Sequence, residues 1–131
     1  MTNKPGIALV SRGPGATNAA IGIHTAYQDS TPLVLLIGQV PTTQIGTEAF
    51  QEIDYKAMFK PLAKHVLQAA SPDNTAETMA RALELSVDGR PGPVVLVLPE
   101  DTTTGKVENI KIPRIKVREA RIPPAVLVEQ A

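Results

Sequence analysis

Short aliphatic runs alternate along the chain with longer segments in which apolar residues recur every three or four positions. Runs at 7–10, 33–37 and 94–98 are continuous and bounded by Pro or Gly, which is typical of fully buried parallel strands. A shorter apolar run at 63–67 predicts a further strand. The pattern therefore predicts a buried sheet whose strands are separated by other elements.

The segments between these runs favour helices. Residues 17–28 place small side chains on one face, which predicts a helix that approaches its neighbours closely. A stripe at 55–62 predicts a short helix, and residues 71–73 supply an N-cap Ser, a first-turn Pro and a first-turn acid for another helix, which Gly89 would cap. Alternating strands and helices predict an α/β fold, an open parallel sheet with helices on both faces.

The composition changes near residue 105, which predicts a domain boundary there. Residues 106–131 hold six basic and three acidic residues, whereas residues 1–105 hold seven and ten. Pro113, Pro123 and Pro124 fall in the basic segment, with only short apolar pieces between them. We predict a domain at 1–105 and an extended linker at 106–131.

Charge and composition exclude several classes of function. Lys plus Arg equals Asp plus Glu at 13 each, and aromatic residues make up 3% of the chain, which disfavours nucleic-acid binding and attraction to an anionic membrane. No apolar run approaches the ~18 to 20 residues of a membrane span, and the first residues lack a secretion signal. With no Cys and hence no disulfides or Cys-ligated metal, the expected location is cytoplasmic.

Candidate chemistry gathers where predicted strands end. The segment SRGPGATN follows the first strand and opens the first helix, and two further strand ends carry Gln39 and the pair Glu100 and Asp101. In a parallel sheet these ends share one rim, where ligands of α/β proteins bind. No dinucleotide or phosphate-loop motif is present, so the glycine-rich turn fits a plain turn as well as a ligand site.

Other polar residues point to weaker alternatives. Glu48, Glu52 and Asp54 could form a carboxylate metal site, but no phosphate cradle accompanies them. The pair Lys64-His65 could hold a general base or be structural, and His24 fits a surface or packing role. The absence of G-x-S-x-G and H-E-x-x-H motifs argues against serine hydrolases and zinc proteases.

Four separated segments, in order, carry a family resemblance over residues 4–102. They are PGIALVSRGPGATNAAIGIHTAYQDSTPLVLLIGQVP, GTEAFQEIDY, FKPLAKHV and GRPGPVVLVLPED. Together they resemble the pyrimidine-binding domain of the thiamine-diphosphate-dependent acetolactate synthase family. The resemblance implies the decarboxylation and carboligation of 2-keto acids, with the cofactor held between two domains.

The resemblance also implies roles for individual residues. Contacts to the pyrimidine end of thiamine diphosphate are expected from Gly13, Pro14, Asn18, Gly38 and Gln39. Catalytic contacts near the reacting carbon are expected from Phe50 and Gln51, and the substrate channel is expected to include Pro41, Lys64 and His65. Arg12 stands where relatives often have a small residue, and the sequence assigns it no role.

The resemblance further implies partners. We expect a homodimer or higher oligomer, a small 2-keto acid substrate, and a diphosphate-binding domain of a complete enzyme. The metal Mg²⁺ and any FAD would belong to those other domains. The family's catalytic Glu lies before the matched part, so we expect the chain alone to be inactive. A non-catalytic truncated fragment, or a dimerising or ligand-binding module, is the alternative.

Overall fold

The aliphatic runs form one fully parallel sheet. The structure is a computed structural model that describes residues 4–108 and 113–115. In this part of the chain the strands are β1 (Gly6–Val10), β2 (Leu33–Gln39), β3 (His65–Gln68) and β4 (Pro93–Pro99). The helices are α1 (Pro14–Gln28), α2 (Tyr55–Phe59), α3 (Pro72–Val87) and α4 (Glu100–Thr104), with a 3-10 turn at Thr42–Gln44.

The strands lie in the order β1-β2-β4-β3, and every pair is parallel. The chain therefore passes from β2 to the far edge of the sheet before α3 returns it to the centre as β4. Because all strands run in one direction, the ends of β1, β2 and β4 reach one common rim. The predicted parallel α/β sheet is confirmed.

Helices cover both faces of the sheet, as predicted. On one face α1 and α2 pack against alternate strand residues, in a core that contains Ile23, Leu35 and Phe59. On the other face α3 packs through Ala82 against the intervening residues of β2 and β4. Each strand of the sheet centre thus buries both of its faces, which explains the continuous aliphatic runs.

Some predicted boundaries were wrong. The first helix begins at Pro14 rather than residue 17, because Pro fits the first helical turn and Gly13 makes the preceding bend with φ of 61°. The third helix has its predicted N-cap at Ser71 and ends at Val87, with Asp88 as its C-cap and Gly89 following at φ of 59°. The fourth helix was not predicted, and most of the predicted linker at 106–131 lies outside the described residues.

The β1 edge is the exposed side of the sheet. Its residues Ile7 and Leu9 are 58% and 70% exposed, although both are large and aliphatic. They pair with Val34 and Leu36 on the face that α3 covers farther along the sheet. Within the described residues, this strip of the sheet is therefore left open beside α3.

Candidate functional site

An open cleft of about 570 Å³ lies at the carboxyl ends of β1, β2 and β4. Its wall is formed by residues from the three strand ends, the loop after β2 and the fourth helix. They are Leu9, Val10, Ser11, Arg12, Gly38, Gln39, Gln51, Leu98, Glu100 and Thr103. The expectation that three strand ends share one rim is confirmed by this parallel arrangement.

The glycine-rich turn is built around Gly13. Its φ of 61° favours glycine, and a Cβ placed there would lie 2.8 Å from the Cβ of Gln51. The loop that carries Gln51 therefore rests directly on the turn. This close approach explains why a glycine is needed at position 13, and it joins two of the predicted site segments.

A buried hydrogen bond fixes the same turn. The Gly13 N–H donates to the Tyr55 hydroxyl oxygen at 2.8 Å. Burial raises the pKa of Tyr55, while this hydrogen bond and the charge of Arg12 act in the opposite direction. The tyrosine remains a neutral hydroxyl at physiological pH and anchors the turn to the start of α2.

Gln39 holds the far end of the loop after β2. Its side chain is buried, its amide nitrogen donates to the Ile53 carbonyl at 2.8 Å, and its amide oxygen accepts from the Val40 N–H at 3.0 Å. The side chain thus lines the cleft while both of its polar atoms are used within the protein. Gln39 contributes a fixed wall.

Carboxylates stabilise this loop through backbone contacts. Glu52 accepts from the N–H groups of Gly46 and Ala49, and Asp54 accepts from Ala57 at the start of α2. In the described part of the chain, no group of three or more His, Cys, Asp or Glu residues is placed to hold a metal ion. The side chains of Glu52 and Asp54 order the loop and its exit into α2.

A carboxylate also joins the loop after β2 to the end of β4. Asp101 accepts from both the backbone N–H and the hydroxyl of Thr42, at 3.0 and 2.5 Å. The hydroxyl contact is the main reason that the pKa of Asp101 lies below its ordinary value. Two strand ends of the rim are therefore held together by an ionised side chain.

The predicted cofactor and catalytic residues fall into two groups. Gly38, Gln39 and Gln51 line the cleft, and Gly13 lies against Gln51. The others lie near these segments in sequence but do not line the cleft: Pro14 and Asn18 are exposed on the first turns of α1, Phe50 is 79% exposed, and Pro41 is half-buried before the 3-10 turn. The roles of all these residues stay predictions.

Lys64 and His65 lie at the other end of the sheet. The Lys64 backbone N–H donates to the carbonyl of Pro93, the first residue of β4. Its ammonium group donates to the carbonyls of Leu85 and Asp88, at the end of α3. Neither residue lines the cleft, so their predicted place in a substrate channel is not supported by a contact with this site.

Sequence reasoning missed part of the cleft. Leu9, Leu98 and Thr103 line it but belong to a strand interior or to an unpredicted helix. Tyr55 was placed on an apolar helix stripe, and the role of its hydroxyl depends on a partner 42 residues away. Glu100, by contrast, was predicted at a strand end of this rim, and it does line the cleft.

Comparisons with known proteins bear on this geometry. Residues 1–58 match the family described as thiamine pyrophosphate enzyme, N-terminal TPP binding domain. A probable acetolactate synthase large subunit of Methanocaldococcus jannaschii is 46% identical over 112 residues, which is 86% of this chain and 19% of the relative. The acetolactate synthase isozyme 3 large subunit of Escherichia coli K12 is 48% identical over 76% of this chain and 17% of its own length.

The chain is homologous to the N-terminal TPP-binding domain of acetolactate synthase large subunits. The large subunit of Corynebacterium glutamicum extends the match, at 35% identity, to the whole of this chain and 21% of the relative. The chain thus spans about a fifth of the length of the curated relatives it matches. The family resemblance of the four sequence segments is confirmed, and so is thiamine pyrophosphate, or thiamine diphosphate, as the cofactor of this type of domain.

No helix in the described part of the chain has the length and apolar character needed to cross a membrane. The match of residues 1–58 includes the glycine-rich turn, the end of β2 and the start of α2. Seven of the ten residues that line the cleft fall within the family match, and Leu98, Glu100 and Thr103 lie outside it.

Proposed function

We propose that this chain provides the pyrimidine-binding half of a thiamine-diphosphate site in an acetolactate-synthase-like enzyme. Such an enzyme decarboxylates a 2-keto acid and joins the product to a second carbonyl compound. The diphosphate-binding half would come from other polypeptide. The single observation that carries the proposal is the direct contact of the glycine-rich turn with the Gln51 loop, beside the cleft at the strand ends.

The residues that line the cleft suit the pyrimidine ring of the cofactor. Leu9, Val10 and Leu98 give the cleft an apolar part, and Gln51 and Ser11 bring an amide and a hydroxyl to its edge. A heteroaromatic ring needs this combination of apolar contact and a few oriented polar groups. When bound, thiamine diphosphate supplies an electron sink for the decarboxylation of a 2-keto acid.

The chain's own residues would position the ring. The Gly13–Tyr55 hydrogen bond fixes the turn, and Gln39 fixes the exit of the loop that carries Gln51. Preorganised walls lower the cost of ordering a ligand. These residues therefore bind and orient the ring.

A second candidate function is an assembly module without turnover. The exposed Ile7 and Leu9 on β1, together with the exposed Ile21 on α1, favour association with another polypeptide. This candidate keeps the fold and the predicted oligomer but requires no ligand in the cleft.

Calorimetric titration separates the two candidates. The full chain is titrated with thiamine diphosphate and Mg²⁺, first alone and then beside a diphosphate-binding domain of an acetolactate synthase. We expect heat of binding in the second case that exceeds the sum of the two separate titrations. Equal heats with and without the chain would contradict the cofactor proposal and leave the assembly module.

A further inference from the structure

Arg12 occupies a distinctive position in the cleft. It directly follows Ser11 at the end of β1 and precedes the turn residue Gly13. Its side chain is 32% exposed, so most of it is covered even though it stands at an open rim. A cation with a partly covered stem and an accessible head can meet a ligand at this rim.

The guanidinium group of Arg12 is only loosely engaged. It approaches the carboxylate of Glu100 at 3.5 Å, beyond the 2.7–2.9 Å of a strong charge-assisted hydrogen bond. The Glu100 side chain is 58% exposed, so water competes for it. Among residues 4–108 and 113–115, Glu100 is the carboxylate that forms an ion pair with Arg12. A guanidinium has five N–H donors, so one such contact does not saturate it.

The rest of the cleft is neutral. Arg12 and Glu100 are the charged members of its wall, beside the amides of Gln39 and Gln51 and an apolar part formed by leucine and valine side chains. A small organic molecule with an apolar body and one negative group matches this distribution. The neighbouring carboxylate makes the site nearly neutral overall, which favours a monoanion over a doubly charged phosphate.

The position of Arg12 also connects it to the glycine-rich turn. It directly precedes Gly13, whose N–H donates to the Tyr55 hydroxyl. Arg12 is therefore attached to the same turn that the proposed function assigns to the cofactor. A ligand held by Arg12 would lie beside that turn.

We propose that Arg12 is a specificity-determining residue that binds the carboxylate of a 2-keto acid, with Glu100 as an internal carboxylate that the ligand displaces. The inference deepens the proposed function and rests on it for the class of ligand. A planar guanidinium can bind a carboxylate through two parallel hydrogen bonds, and one guanidinium nitrogen of Arg12 already meets the Glu100 carboxylate at 3.5 Å.

The test follows the side-chain Nε–Hε signal of Arg12 by NMR while the full chain is titrated with pyruvate. We expect this signal to shift in the wild-type chain. In Arg12→Gln, which lacks the signal, the Kd for pyruvate is read from the backbone amide signals of the cleft and should rise about tenfold. Glu100→Gln removes the competing carboxylate and should lower the Kd about threefold. Arg12→Lys retains the charge but not the planar guanidinium, so its Kd for pyruvate should lie between those of the wild type and Arg12→Gln.

Matched controls make the result specific. Arg81→Gln removes another arginine that forms a pair with a glutamate, Glu84, outside the cleft, and should leave the Kd unchanged. Methyl pyruvate, which lacks the carboxylate, should not shift the Arg12 signal. Inorganic phosphate should bind more weakly than pyruvate, and tighter binding of phosphate would contradict the preference for a carboxylate.

An unchanged Kd in both Arg12 variants, or an Arg12 signal that does not move with pyruvate, would overturn the inference. A parallel titration with thiamine diphosphate and Mg²⁺, beside the diphosphate-binding domain, keeps the two proposals separate. Retained cofactor binding with no Arg12 response to pyruvate would defeat only the role of Arg12. Loss of both responses in the folded wild-type chain would defeat the proposed function as well.

Discussion

The two ends of the parallel sheet use their cations in different ways. At the amino end, Lys64 donates to two carbonyls at the end of α3, and Arg90 donates to Ser30 and to two carbonyls at the end of α1. At the carboxyl end, the contact of Arg12 with a carboxylate among the described residues is a long one, to Glu100 at 3.5 Å. The cations at the amino end thus join elements of the fold, whereas Arg12 at the carboxyl end stands in the cleft with a weaker contact.

The physical reason lies in the helix termini. A helix ends with carbonyl groups that lack partners, and cations near that end satisfy them and interact favourably with the helix dipole. Both α1 and α3 finish at the amino end of the sheet, where Arg90 and Lys64 meet these carbonyls. The opposite rim carries the N-terminal turn of α1 and an open cleft.

The largest effect is expected at the carboxyl end, from Gly13→Ala. The added methyl group would meet Gln51 and would require φ of 61° from a residue with a Cβ. We expect a loss of about 3 kcal/mol in the free energy of unfolding, measured with urea, together with loss of thiamine diphosphate binding. Gly22→Ala is the matched control, since a Cβ there meets no atom within 4 Å, and it should stabilise the helix by up to ~1 kcal/mol. Equal stability of the two variants would contradict the tight contact at the turn.

An intermediate effect is expected at the amino end, from Lys64→Met. Methionine keeps much of the apolar stem but leaves the carbonyls of Leu85 and Asp88 without the ammonium donor. We expect a loss of about 1 to 2 kcal/mol in urea unfolding, with no change in thiamine diphosphate affinity of the folded chain. Lys60→Met, at an exposed position, should have little effect on either measurement. A specific loss of ligand affinity in Lys64→Met would break the contrast between the two ends.

The smallest effect is expected from the contact of Asp101 with Thr42 at the cleft rim, and it depends on pH. The pKa of Asp101 is lower in the folded chain than its ordinary value of 3.8, because Thr42 donates to the ionised carboxylate. The folded state therefore holds this proton less tightly than the unfolded chain. The stabilisation is complete above pH 3.8 and is lost as the pH falls through the lower folded pKa.

Thermal unfolding of Thr42→Val across this pH range tests that contact. Its Tm should lie below the wild-type Tm at neutral pH, and the gap should close in acid. Thr43→Val, at an exposed neighbouring position, serves as the control and should show no such pH dependence. A gap that persists unchanged in acid would rule out the ionised Asp101 as its source.

Secondary structure was predicted best where burial alone determines the order of apolar and polar residues. Leu35 and Val95 are buried on one face of the sheet and Val34 and Leu96 on the other, so the continuous aliphatic runs identify strands without knowledge of their neighbours. The fourth helix was missed because its segment has no apolar period and buries only Thr102 among its five residues. The position of β4 between β2 and β3 follows from long-range packing, which periodicity does not report.

The candidate site was predictable in part for the same reason. Strand ends identified the rim, and the family resemblance selected Gly38, Gln39 and Gln51, all of which line the cleft. The hydrogen bond from Gly13 to Tyr55 joins residues far apart in sequence, and no local pattern marks it. Lys64 belongs to a matching segment of the sequence, yet its side chain satisfies carbonyls at the other end of the sheet.

An NMR titration with fragments of the cofactor tests whether the carboxyl rim of the sheet binds the pyrimidine ring. Backbone amide NMR signals of the full chain are followed during titration with 4-amino-5-hydroxymethyl-2-methylpyrimidine, the ring fragment of the cofactor, and separately with its thiazole fragment. We expect the pyrimidine fragment to shift the signals of Gly13, Gln39 and Gln51 at the carboxyl rim and to leave those of Lys64 and Arg90 unchanged. The thiazole fragment should shift none of these signals. Shifts confined to the amino end, or no shifts at the rim, would contradict binding of the pyrimidine ring at this rim.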